Sequence, residues 1–99
     1  MNMGGGAAGQ AVSETLTICN EKGLHARAAA KFVNCAGSWS ADITVSKGGS
    51  SVGGTSIMGL LMLAASKGCQ IEVSAVGADA AAAVAALKEL VDGRFEEER

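Results

Sequence analysis

The chain contains one histidine, His25, within G-L-H-A-R-A-A-A-K-F (residues 23–32), and an arginine, Arg27, stands two positions after it. A neutral imidazole is both a nucleophile and a leaving group near pH 7. A guanidinium fork grips the oxygens of a phosphate. The first N–H groups of a helix have no intrahelical partners and carry partial positive charge, so an anion is held there and the neutral imidazole is favoured over the imidazolium. Together these groups can accept, hold and release a phosphoryl group, whose transfer depends mainly on position and charge stabilisation. The same residues also suit a histidine that merely caps a helix. No Cys, Asp or Glu clusters near His25, so neither a metal nor a cofactor is expected. A hydrolase using His25 as general base lacks a nucleophile or carboxylate at suggestive spacing.

The elements around this stretch explain its placement. Residues 12–19, V-S-E-T-L-T-I-C, alternate imperfectly with Leu16 and Ile18 on one face, which predicts a strand. Residues 20–23 form a turn. Ala29, Phe32, Val33 and Ala36 then recur at i, i+3, i+4 and i+7, the stripe of a helix that Gly37 would end in a left-handed conformation. Ala41, Ile43 and Val45 alternate in a second strand. K-G-G-S signals a hairpin, with residues 51–53 as its return. Thr55 or Ser56 caps a helix over residues 57–66, stopped by Gly68. Residues 70–76 alternate as a strand, and Asp79 caps a last helix with Val84, Leu87 and Val91 as its core stripe and Gly93 as its stop. The tail R-F-E-E-E-R is expected to be mostly solvated.

The order β-α-β-β-α-β-α predicts an α+β fold. It is an open-faced β-sandwich, a four-stranded, mostly antiparallel sheet with three helices on one face. Residues 1–10, rich in Gly and Ala, read as a flexible tail, and residues 11–99 as one domain. Its 99 residues are 48% hydrophobic but only 3% aromatic, so aliphatic side chains and alanine must fill the core. A net charge of -2 speaks against a nucleic-acid partner. The longest apolar run, residues 57–65, is too short for a membrane span, and the N-terminus lacks the basic and apolar regions of a signal peptide. Cys19, Cys35 and Cys69, widely spaced and odd in number, read as free, buried thiols in a reducing cytoplasm.

The helix after Ser56 is apolar nearly all round. Leu60, Leu63 and Ala64 form one stripe, assigned to the core, while Ile57, Met58, Leu61 and Met62 face elsewhere. Complete burial is one reading. An exposed, methionine-rich docking patch is the other, because one sheet layer in a small domain seldom covers a helix on all sides.

G-L-H-A-R-A-A-A-K-F-V resembles the active-site segment of the HPr family, the histidine phosphocarriers of the bacterial phosphotransferase system. T-S-I-M-G-L-L-M-L-A-A-S-K-G (residues 55–68) resembles that family's regulatory-serine segment, and the spacing between His25 and Ser56 fits as well. The likeness covers roughly residues 12–95. It implies that His25 takes a phosphoryl group on Nδ1 from phosphorylated enzyme I and passes it to a histidine of an EIIA-type protein. Arg27 and the N–H groups of Ala26 and Arg27 would stabilise that group. The protein would then be a carrier forming a covalent phosphohistidine, not an enzyme with its own turnover. It also implies that HPr kinase/phosphorylase modifies Ser56 with ATP, and that the added charge opposes phosphorylation of His25. Ile57, Met58, Leu61 and Met62 would receive enzyme I, EIIA proteins and the kinase, with Lys31 adding positive charge for acidic partners. A cytoplasmic monomer is expected.

One departure stands inside the motif. Ala28 occupies the position where the family usually has proline, a residue suited to a helix's first turn. The H-A-R-A form resembles variants of the regulatory, nitrogen-related branch. The alternative function is an interaction module acting mainly through Ser56 phosphorylation.

Overall fold

The computed structural model describes residues 11–99, and the tail expected over residues 1–10 lies outside them. Strand β1 (Ala11–Thr17) leads to helix α1 (Ala26–Gly37), the hairpin β2 (Asp42–Lys47) and β3 (Ser50–Gly53), helix α2 (Ile57–Met62), strand β4 (Gln70–Val76) and helix α3 (Ala80–Asp92). A short 3-10 turn, Arg94–Glu96, follows. The strands lie in the order β1-β4-β2-β3, and every neighbouring pair is antiparallel.

Side chains alternate between the faces of a strand, so a sheet covered on one side shows burial at every second residue. Ile71, Val73 and Ala75 of β4 are buried while Gln70, Glu72 and Val76 are exposed, and Ile43 and Val45 of β2 follow the same rule. Helix α3 covers β1 and β4, α2 lies against β3, and α1 packs on both other helices. The result is the open-faced α+β sandwich expected from the element order. Alanines 28, 29, 80 and 83 are fully buried, which lets the helices approach closely. Phe32 and Phe95, the two phenylalanines, are both buried.

The hairpin turns through Gly48 (φ +56°) and Gly49 (φ +95°), and two successive positive φ angles match the right-handed strand twist. Gly93 caps the end of α3 as expected, whereas other helix ends differ from the expected ones. Gly37 is the last residue of α1 and is not left-handed; Ser38 follows as the cap, and its Oγ donates to the Cys35 carbonyl at 2.7 Å. Helix α2 stops at Met62, four residues early, because the chain reverses at Ala64 (φ +52°). That reversal exposes Ala64, assigned to the core, and buries Ala65 in its place. Gly68 is left-handed, but in the loop toward β4, where its N–H donates to the Ile18 carbonyl at 2.7 Å. Asp79 stands at the N-cap of α3 without capping it: its Oδ2 accepts from the Ser40 N–H at 2.9 Å, tying the helix to the loop before β2. The three cysteines are free but half-buried, not buried.

The largest difference lies after α3. The tail expected in solvent folds back onto the start of α1, with Phe95 fully buried. Arg94, Phe95 and Glu96 all have positive φ (+59°, +53° and +67°), a run that costs energy for residues with a Cβ. The buried ring offsets that cost and directs the next residues over the β1–α1 loop.

Candidate functional site

The chain reaches His25 through Gly23, whose φ of +68° and surroundings both demand glycine. A Cβ there would lie 2.7 Å from the Ala65 carbonyl oxygen and 2.9 Å from Ser66 Cα. The close approach lets the Leu24 N–H donate to the Ala65 carbonyl at 2.9 Å, fixing the loop against the segment after α2. His25 follows as the N-cap of α1 with extended backbone (φ -82°, ψ -176°), and its carbonyl accepts from Ala29 N–H at 2.8 Å. Its side chain makes no capping bond. The N–H groups of Ala26, Arg27 and Ala28 precede the first intrahelical donor and are left for another acceptor. Ala26 and Arg27 are exposed, Ala28 is buried, and Arg27 makes no hydrogen bond or ion pair with any described residue. The structure thus brings His25, Ala26 and Arg27 together at one helix start, as the sequence implies.

A carboxylate that the sequence reading missed joins them. Glu97 Oε2 lies 2.5 Å from His25 Nε2, and Glu97 Oε1 accepts from Asn20 Nδ2 at 2.9 Å. Asn20 is fully buried, and its Nδ2 also donates to the Gly23 carbonyl at 2.9 Å. Both neighbours are acceptors, which dictates the end of the amide facing them. The side chains of His25 and Glu97 are 28% and 17% exposed. Burial pushes the Glu97 carboxyl upward, but hydrogen bonds from Asn20 and His25 and the charges of His25 and Lys22 outweigh it, leaving the group below its ordinary value. The one signal for this contact in the sequence is Phe95, an aromatic residue in a charged tail that needs a place to bury its ring.

Lys31, one turn into α1, is not free to face a partner. Its ammonium donates to the Phe95 carbonyl at 2.7 Å and pairs with Glu96 at 3.3 Å. Together the turn at residues 21–22, the start of α1, Lys31 and residues 96–99 line an open depression around His25.

Ser56 is the N-cap of α2, and its Oγ accepts from Gly59 N–H at 3.0 Å, so the capping expectation holds while the hydroxyl stays exposed. Within α2 only Leu60 is buried; Ile57, Met58 and Met62 are 41%, 69% and 79% exposed and Leu61 is half-buried. Complete burial of α2 is therefore ruled out, and an apolar surface stands on the helix beside α1. No helix among the described residues is long and apolar enough to cross a membrane.

This arrangement, an uncapped helix start bearing an imidazole and an arginine on an open-faced sandwich, defines a small phosphoryl-carrier domain. The comparisons agree with it. A family model described as the PTS HPr component phosphorylation site matches residues 12–93. The phosphocarrier protein HPr of Neisseria meningitidis serogroup A is 46% identical over 86 residues, 87% of this chain and 97% of that protein. The phosphocarrier protein NPr of Shewanella violacea is 44% identical over 82 residues, covering 83% of this chain and 90% of the relative. A crystal structure of HPr from Thermoanaerobacter tengcongensis superimposes with a TM-score of 0.86 at 41% identity, covering 89% of this chain and 99% of that one. The chain belongs to the HPr family, the bacterial phosphocarriers of the phosphotransferase system.

Proposed function

We propose that this protein carries a phosphoryl group on His25 Nδ1, taken from phosphorylated enzyme I and passed to a histidine of an EIIA-type protein. The observation that carries the reading is the uncapped start of α1, where an imidazole, an arginine with no partner among the described residues and the first backbone donors of the helix converge. The imidazole is nucleophile in one complex and leaving group in the next. Arg27 and the Ala26 and Arg27 N–H groups balance the phosphoryl charge. Ile57, Met58, Leu61 and Met62 form the docking surface for both partners, and Lys31 acts there only if its bonds to the C-terminal turn are exchanged. HPr kinase/phosphorylase phosphorylates the exposed Ser56 hydroxyl, placing about two negative charges beside the apolar surface and opposing docking. The protein works as a cytoplasmic monomer.

The test uses purified enzyme I and phosphoenolpyruvate. Wild type should gain acid-labile, base-stable phosphate, and His25→Ala should gain none. Equal labelling of His25→Ala overturns the assignment. ATP and the kinase should instead give acid-stable phosphate on wild type and none on Ser56→Ala.

A further inference from the structure

From the contacts around His25 we infer that Glu97, held by Asn20, is a positioning residue that selects the attacking nitrogen of the imidazole. The inference rests on the phosphocarrier reading for its biological use, but not for its chemistry.

A carboxylate only accepts hydrogen bonds, so the ring nitrogen facing Glu97 Oε2 is the one that carries hydrogen. That nitrogen is Nε2. Nδ1 has no hydrogen-bond partner among the described residues, so in the neutral ring it is the nitrogen with the lone pair. Glu97 is itself fixed at both ends: Asn20 Nδ2 binds its second oxygen, and the buried Phe95 ring anchors the chain two residues earlier. Asn20 is anchored in turn by its bond to the Gly23 carbonyl. The result is a buried amide, a carboxylate and an imidazole in series, each setting the orientation of the next.

The series fits the bond changes of transfer. The Nδ1 lone pair forms a bond to phosphorus while the donor's N–P bond breaks, and that electron pair leaves with the donor nitrogen. The Nε2 proton stays on His25, so the phosphorylated ring is cationic. Glu97 already stands against the nitrogen where this charge is shared and needs no rearrangement to offset it. In the reverse step the same contact holds the ring until the phosphoryl group departs.

Phosphoramidate tests the inference without any partner protein, since it phosphorylates imidazoles directly and releases ammonia. The position of the phosphate is read by ³¹P and ¹⁵N NMR on ¹⁵N-labelled protein. Wild type should be phosphorylated on Nδ1 alone. Glu97→Ala should react about tenfold more slowly or worse and should carry part of its phosphate on Nε2. Glu97→Gln should fall between them, because its single oxygen can occupy only one of the two carboxylate positions that face Asn20 and His25, and its NH2 group, a donor, takes the other. Both variants keep Phe95, and an unchanged amide spectrum away from the site verifies the fold. With phosphorylated enzyme I as donor, the loss should appear in kcat and leave KM unchanged. Three results overturn the inference: phosphate on Nε2 of wild type, an unchanged rate and position in folded Glu97→Ala, or faster reaction of that variant, which would make Glu97 a competitor of the phosphoryl group. Failure of enzyme I to phosphorylate wild type would remove the carrier reading and leave the phosphoramidate result intact.

Discussion

Helices α1 and α2 begin alike and are used differently. Both have an N-cap residue in extended backbone, His25 and Ser56. Ser56 satisfies its own helix, its Oγ accepting from the Gly59 N–H. His25 does not: its ring turns away to Glu97 and leaves the first turn of α1 open. A capped helix start is stable by itself, whereas an open one keeps its donors for an anion that comes and goes. The open start is supported from outside, by the loop fixed at Gly23 and by the turn around Phe95.

The largest expected effect separates the two caps completely. His25→Ala should abolish labelling from phosphoenolpyruvate and enzyme I while Ser56→Ala labels like wild type; labelling measured in parallel on the two variants checks this. Next comes the outside support. Phe95→Ala should cost about 3–5 kcal/mol of stability by emptying a fully buried site, read by urea denaturation. Arg27→Ala should slow transfer about 100-fold with little change in stability, since the side chain makes no bond with any described residue; stopped single-turnover reactions measure it. Ser56→Ala should cost about 1 kcal/mol through the lost cap, visible as a lower urea midpoint.

The smallest effect concerns pH. Glu97 titrates below its ordinary value in the folded protein. A depressed carboxyl adds stability that is present above its unfolded pKa and is lost as pH falls through the folded one. Thermal midpoints should therefore fall less steeply on acidification in Glu97→Gln than in wild type. An identical acid slope would show that Glu97 adds no such stability.

Most of the fold was legible because its signals are local. Alternation marked β2 and β4, the Gly48-Gly49 pair marked the hairpin, and the stripe of Ala29, Phe32 and Ala36 marked α1. The helix ends were less legible, because tertiary contacts decide them. Ala64 turns the chain early so that Ala65 can enter the core and bind Leu24, and Asp79 serves Ser40 before its own helix. Half of the site was legible for the same reason: His25, Ala26 and Arg27 are neighbours in sequence. Glu97 lies 72 positions from His25 and arrives only through the burial of Phe95 and the left-handed turn around it, for which the lone aromatic residue in a charged tail is the one signal in the sequence.

The central claim, that His25 carries a phosphoryl group between proteins, is tested most directly by a chase. Protein phosphorylated on His25 is freed of enzyme I and phosphoenolpyruvate, then mixed with an unlabelled EIIA-type protein. The account predicts that label leaves His25 and appears on a histidine of the acceptor, and that returning enzyme I and pyruvate draws it back to phosphoenolpyruvate. Label that stays on His25, or leaves only as inorganic phosphate, would contradict it.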